Sequence, residues 1–279
     1  MKLDAARIRE RRLRFAKLHE AGCFAIPNPW DRGSARWLAA LGFQALASTS
    51  SGSAWSQGLP DGRMPLPAVL DYLRGLVEAT DLPINADFEN GYATDAEGVA
   101  RNVRLAIDTG VAGISIEDAS GNPHAPLFAL DEAVARLRAA RSAIDACGEP
   151  VLLIGRAENF IVGRPDLQDA IARLCAYAEA GADCLYAPGI TTREQVSAVV
   201  AAVAPKPVNV LVGSDAMGLT MAELAALGVR RVSVGGAFAR AAWAGFQRAA
   251  HLLAREGRFA GLAGATPGRE LNDFFGERG

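Results

Sequence analysis

The feature that most limits what this 279-residue chain can fold into is a rhythm, in which short β-rich runs alternate with longer helical ones. Runs of strand character cover 23–26, 45–48, 84–87, 113–117, 151–156, 183–187, 208–212 and 231–235. Between them lie Ala-, Leu- and Arg-rich stretches, with helices predicted over 96–108, 131–146, 167–180 and 192–203 among others. Such alternation calls for parallel strands joined by helical crossovers. Eight units of this kind close into an α/β barrel of the (β/α)8 TIM type, for which the chain length is ordinary. An open doubly wound sheet is the competing architecture, but no Gly-x-Gly-x-x-Gly run follows the first strand. A glycine recurs where helix returns to strand, as in Thr109-Gly110-Val111 and Ala180-Gly181-Ala182, at the position where a helix end turns left-handed.

A charged stretch over 4–20 sets Ile8, Leu13, Phe15 and Leu18 at roughly helical spacing, which predicts an N-terminal helix over 1–21 covering one barrel end. The barrel is expected over 22–255, with a C-terminal helical extension and polar, Gly-rich tail over 256–279, all in a single domain. The 29 basic and 31 acidic side chains nearly balance and no basic stripe stands out, so nucleic acid is not an expected partner. Apolar runs are too short for a bilayer and the N-terminus has no signal-peptide core, so the expectation is a soluble, cytoplasmic protein without a membrane partner. Cys23, Cys147, Cys175 and Cys184 are too widely spaced for a zinc or redox motif and read as reduced and mostly buried.

In a barrel of this kind the reacting groups project from the C-terminal strand ends and the loops after them. Strand alternation puts Asn85, Asp87 and Glu89 on one face of the third strand, and Ser115 and Glu117 on one face of the fourth. Carboxylates brought together as Asp87 and Glu117 are need a shared proton or a cation, and a hard ion such as Mg²⁺ is the simplest choice. The plainer alternative is that each caps a helix or pairs with a barrel arginine. Arg156, ending the fifth strand, suits a carboxylate or phosphonate, or else forms a structural pair with Glu117 or Glu158. The run Thr49-Ser50-Ser51-Gly52-Ser53 offers hydroxyls and N–H groups to an anionic substrate end, and Gly235-Gly236 is a weaker anion candidate. Loops over 53–62 and 119–127 are long and polar enough to act as lids, and His124 reads as a solvated bystander.

Several motifs in order carry a resemblance: Pro27-Asn28-Pro29-Trp30-Asp31-Arg32-Gly33-Ser34-Ala35, Ser50-Ser51-Gly52, Leu59-Pro60-Asp61-Gly62, Asn85-Ala86-Asp87-Phe88-Glu89-Asn90-Gly91-Tyr92, Ile116-Glu117-Asp118 and Gly155-Arg156-Ala157-Glu158. Over roughly residues 20–245 the chain resembles the isocitrate lyase and phosphoenolpyruvate mutase superfamily. The resemblance implies a Mg²⁺-dependent enzyme, with Mn²⁺ as a substitute, that makes or breaks a C–C or P–C bond beside a 2-oxo or 2-hydroxy carboxylate. It implies Asp61, Asp87, Glu117 and Asn85 as metal ligands, largely through waters. Trp30, Ser50, Ser51, Gly52, Arg156 and Asn209 would contact substrate, and Arg156, Asn122 and Glu117 would be catalytic. A homodimer or homotetramer is implied as well; Phe238, Trp243 and Phe246, at near-helical spacing, either form such a contact or pack against the barrel of their own chain.

Two departures shape the functional expectation. Asn85 stands where the family commonly has aspartate, which predicts weakened metal binding or its loss. The loop Ala119-Ser120-Gly121-Asn122-Pro123-His124 lacks the cysteine of the isocitrate and methylisocitrate lyases. Decarboxylases of the family also lack it, and an asparagine here is similar to the mutase and phosphonopyruvate hydrolase branch. The leading expectation is therefore a lyase or decarboxylase of a small 2-oxo or 2-hydroxy di- or tricarboxylate acting through an enolpyruvate-like intermediate. P–C chemistry on phosphonopyruvate and a non-catalytic barrel that binds a 2-oxo acid are the alternatives.

Overall fold

Helix α1 (Ala5–Leu18) begins at Asp4, whose carboxylate accepts the Ala6 N–H at 3.3 Å. Its inward face carries Phe15, fully buried, with Arg11 and Arg12 beside it. Arg12 donates to the carbonyls of Val111 (3.0 Å) and Ile107 (2.8 Å), and Arg11 to that of Val77 (2.8 Å). Phe15 packs with Phe24, Ile26, Ala45, Ala47 and Ala112, so α1 closes the N-terminal end of the strands as its pattern predicts. The structure is a computed structural model and describes residues 4–276, so residues 1–3 and 277–279 of the predicted terminal segments lie outside it.

The chain continues through β1 (Phe24–Ile26), α2 (Arg32–Ala40), β2 (Leu46–Ala47), α3 (Ser50–Ser56), α4 (Leu66–Ala79) and β3 (Ile84–Asp87). Then come α5 (Ala96–Ile107), β4 (Gly113–Glu117), α6 (Leu130–Cys147), β5 (Leu152–Arg156), α7 (Leu167–Glu179), β6 (Cys184–Tyr186), α8 (Arg193–Val203), β7 (Val208–Leu211), α9 (Met221–Ala226) and β8 (Arg231–Ser233). The strands are parallel, in the order β1-β8-β7-β6-β5-β4-β3-β2. The Ala47 N–H, donating to the Pro27 carbonyl at 3.0 Å, links the two ends of that order. The architecture is a (β/α)8 TIM-type barrel.

Period-two alternation explains its two layers. Ile84, Ala86, Ile114 and Ile116 face outward into the main core with Val99, Val103 and Leu137 of the helices. Each buried isoleucine, valine or leucine among them contributes about 1.5–3 kcal/mol. The alternate residues Asn85, Ser115, Asn209, Arg231 and Ser233 are buried inside the barrel, beside an apolar cluster of Ile154, Cys184 and Tyr186, so that interior is polar on one side and apolar on the other. Gly181 has φ +101°, and a Cβ there would lie 2.7 Å from Cγ of Arg141, so the return from α7 to β6 requires glycine.

Three expectations need correction. The predicted strands lose a residue or two at their ends, as at β1 and β6. Residues 50–56, expected as an anion-binding turn running into a lid, form α3, because Thr49 caps it by accepting the Gly52 N–H at 3.3 Å. Small hydroxyl residues carry almost no apolar periodicity, which hid this helix. Of the cysteines, expected mostly buried, Cys184 alone is buried; Cys23 and Cys175 are half-buried and Cys147 is exposed.

The chain divides into two compact units, one reaching to Phe238 and one beginning at Ala239. The second contains most of α10 (Ala237–Glu256) and all of α11 (Gly268–Gly276). Within it the Trp243 and Phe246 rings meet edge to face, 5.5 Å apart, while both remain exposed. Among the described residues no helix is long and apolar enough to cross a membrane.

Candidate active site

A cavity of about 240 Å³ enters the barrel at the C-terminal strand ends. Its wall includes Ser48, Ser50, Ser51, Asp61, Asp87, Arg156, Tyr186 and Gly236, and its deeper part Asn85, Ser115, Arg231 and Ser233. Gly236 allows a close approach here, since a Cβ would lie 2.7 Å from the Ser51 hydroxyl.

The rim is organised around Arg156. Its Nη1 donates to Asp87 Oδ1 at 3.0 Å and lies 3.2 Å from Glu117 Oε2, while Nε binds Glu158. Glu117 and Arg156 are register partners on β4 and β5, which brings them together. Burial works against the charge of Arg156, but Glu117, Glu158 and Asp87 outweigh it and hold its pKa well above the usual value. Burial also raises the carboxyls of Glu117 and Glu158, against the opposing pull of Arg156. Asp87 spends its second oxygen, Oδ2, on the Ser50 N–H at 3.0 Å, and its own N–H donates to Ser48 Oγ at 2.7 Å. Asp61 bonds the Ser50 side chain, and burial, aided by the nearby Asp87 charge, raises its pKa.

Beneath the rim, Asp118 holds Glu158 in place. Asp118 Oδ1 accepts the Glu158 N–H at 2.7 Å, and Oδ2 accepts from Tyr177 Oη (2.6 Å) and Arg173 Nη1 (3.1 Å). Sequence reasoning missed this support, although the dipeptide Glu117-Asp118 lay inside a quoted motif.

The floor is different. Arg231 is 2% exposed and reaches across the barrel, with Nε donating to Asn209 Oδ1 at 2.9 Å and Nη1 to Asn85 Oδ1 at 3.3 Å. Asn85 Nδ2 donates in turn to Ser115 Oγ, and Asn209 Nδ2 to Ser233 Oγ, both at 3.0 Å. Burial lowers the Arg231 pKa; the groups acting the other way are the Cys184 thiol and the Tyr186 phenol, and no carboxylate is among them. Sequence reasoning passed over this arginine, although alternation along Arg231-Val232-Ser233 was a signal that could have turned it inward.

Of the residues singled out in the sequence, Ser50, Ser51, Asp61, Asn85, Asp87 and Arg156 line the cavity. Glu117 joins them through its ion pair with Arg156. Glu89 does not share their face, because the chain leaves the extended conformation at Glu89 (φ +44°) and its carboxylate accepts the Tyr92 hydroxyl at 2.6 Å. Burial pushes the Glu89 carboxyl up to about 7. Gly52 spends its N–H on the α3 cap, and Trp30 gives its N–H to Ser34 Oγ at 3.1 Å; neither lines the cavity. Asn209 lies deeper, as a support for Arg231. Asn122 is exposed in the loop closed by the Ala119–Leu127 bridge, its Oδ1 accepting the His124 N–H at 3.0 Å. The Val234 and Gly235 N–H groups both donate to Asn28 Oδ1 (3.0 and 2.8 Å), so these two donors are already engaged. No three His, Cys, Asp or Glu side chains among the described residues converge as a metal-ligand group.

Comparison with known proteins agrees with this geometry. The family model described as phosphoenolpyruvate phosphomutase matches residues 15–254. A crystal structure from Burkholderia cenocepacia J2315, provisionally described as a lyase/mutase, superposes with a TM-score of 0.94 at 49% identity, covering 97% of this chain and 98% of that one. An oxaloacetate decarboxylase of Bradyrhizobium sp. (strain BTAi1 / ATCC BAA-1182) is 34% identical over 76% of this chain and 73% of its own length. Oxaloacetate acetylhydrolase, solved with its product oxalate, has a TM-score of 0.85 at 27% identity, covering 96% of this chain and 94% of that one. The chain therefore belongs to the phosphoenolpyruvate phosphomutase family, within the isocitrate lyase and phosphoenolpyruvate mutase superfamily of enzymes.

Proposed function

We propose that the chain is a carbon–carbon bond lyase or decarboxylase acting on a small 2-oxo or 2-hydroxy di- or tricarboxylate. The observation that carries this reading is one small cavity whose wall joins serine hydroxyls to two buried guanidiniums at the catalytic end of the barrel. Cleavage beside a 2-oxo group leaves negative charge on the carbonyl oxygen, and fixed donors aimed at that charge lower the barrier. The Ser50 and Ser51 side chains on the same wall offer hydroxyl donors to the substrate's carboxylate. Two relatives support the substrate class by their names, since both act on oxaloacetate. The rival P–C chemistry rests on Asn122 and on the missing loop cysteine; the exposed position of Asn122, outside the cavity wall, favours the C–C reading.

Mg²⁺, or Mn²⁺ in its place, is the cofactor that family membership implies. The donor set fits it poorly. Asn85 replaces an acidic ligand and turns its oxygen to Arg231, both Asp87 oxygens hold N–H donors, and Glu117 is paired with Arg156. A homodimer or homotetramer belongs to the same reading, supported by the exposure of Phe238, Trp243 and Phe246. Light scattering on the eluting protein tests it, and a monomer at micromolar concentration rejects it.

Purified protein is incubated with oxaloacetate, substituted malates and 2-methylisocitrate, with and without Mg²⁺, and followed by proton NMR. Loss of at least one substrate to a 2-oxo acid or its cleavage fragments is expected. Unchanged spectra across the panel contradict the proposal, and a changing phosphorus signal from phosphonopyruvate alone transfers the assignment to P–C chemistry.

A further inference from the structure

We infer that Arg231 is the cation on which this cavity neutralises the oxyanion of its substrate, in the place where a resident divalent ion would otherwise act. The inference rests on the C–C lyase reading above and adds the group that stabilises the charge.

Three observations carry it. Arg231 is almost fully buried and lines the cavity, yet its hydrogen-bond partners are the neutral amides of Asn85 and Asn209. A buried guanidinium without a counter-ion is costly, and a substrate anion is what offsets that cost. Arg156, the other guanidinium on the wall, has three carboxylates around it and little charge left to offer. The third observation is the pairing itself. Asn85 occupies a position where a carboxylate would ion-pair with Arg231 and cancel it; as an amide, it supports the guanidinium and leaves its charge intact.

The substrate class is a small dianion carrying a 2-oxo group. In decarboxylation of such a substrate, the bond from C3 to the departing carboxylate breaks and CO₂ leaves. The electron pair of that bond becomes the C2–C3 π bond, and the carbonyl pair moves onto the C2 oxygen, which takes the negative charge beside Arg231. A proton from solvent then adds to C3 as the carbonyl re-forms, giving the shorter 2-oxo acid. The guanidinium remains protonated throughout and acts by hydrogen bonding and charge.

Oxalate, a planar dianion that resembles the enolate-carboxylate unit, is the probe. Titration calorimetry of the full chain is run in EDTA and in excess Mg²⁺, with Arg231→Met and Asn85→Asp beside the wild type. The wild-type Kd is expected to agree within about twofold between the two conditions. In EDTA, Arg231→Met is expected to weaken binding at least about thirtyfold, and Asn85→Asp at least about tenfold by neutralising Arg231, on the usual worth of a charge-assisted pair. Asn85→Asp keeps the test alive if Arg231→Met does not fold. Oxalate binding that requires Mg²⁺, or that survives in the folded variants, overturns the inference. This readout needs no turnover, so failure of the NMR panel and failure of the Arg231 assignment are seen separately.

Discussion

Arg156, half-buried, and Arg231, fully buried, line one cavity, and their surroundings are opposite. Arg156 sits among Asp87, Glu117 and Glu158, and its charge is more than matched. Arg231 touches two asparagine side chains, and its charge is left unmatched. An arginine with excess counter-ions holds the rim together, whereas one supported by amides is available to an incoming anion. Position near the strand ends made the first conspicuous; the electrostatic balance singles out the second.

The sharpest way to break this contrast is to remove Arg156. Arg156→Met leaves three acidic groups without their cation and is expected to destabilise the protein by about 3–5 kcal/mol at neutral pH. The sign of its pH dependence follows from the raised carboxyls. A folded state that binds protons more tightly than the unfolded chain is most stable at low pH and loses that stability as pH rises through the folded pKa. Urea denaturation of the variant at pH 5 and pH 8 should therefore show the larger deficit at pH 8; equal deficits at both would mean that the rim carboxyls do not need Arg156.

Tyr177→Phe tests the support under the rim more gently. Losing the phenol that bonds Asp118 should cost about 2 kcal/mol in the same denaturation assay, because the partner is a charged group. Arg231→Met should cost less, about 1 kcal/mol. The amide oxygens of Asn85 and Asn209 each lose a donor, but the desolvation of an unmatched cation is relieved. If its cost equals that of Arg156→Met, the two arginines are not electrostatically different.

The smallest expected effect lies at His19 on α1. Burial first, and then the Arg231 charge, lower its pKa to about 3. Because the folded value lies below the unfolded one, this histidine's contribution to stability is present above about pH 6.5 and is lost as pH falls toward the folded value. Removing Arg231 should raise the His19 pKa in an NMR titration. An unmoved or lowered value would place the Arg231 charge elsewhere.

Much of the barrel was legible because periods of two and 3.6 are written directly into the apolar residues, as at Ile84-Ala86 and Ile114-Ile116. The same alternation correctly sent Asn85, Asp87 and Ser115 inward. It failed at Glu89, where a left-handed backbone ends the strand, and at residues 50–56, whose small polar side chains carry no helical signature. Arg231 was overlooked for another reason. It stands beside Arg230 at the start of a strand, where charge is commonplace, and only the fold reveals that Asn85 faces it across the barrel. The engagement of Gly52, Trp30 and Asn122 in local caps and turns was equally hidden, since one hydrogen bond decides each case.

A crystal structure grown with oxalate and Mg²⁺ both present tests the account most directly. It should show an oxalate oxygen within hydrogen-bond distance of the Arg231 guanidinium, with Asn85 still bonded to that arginine and no cation between oxalate and Asp87. Oxalate chelating a Mg²⁺ ion held by Asp87 or Glu117, away from Arg231, would contradict it.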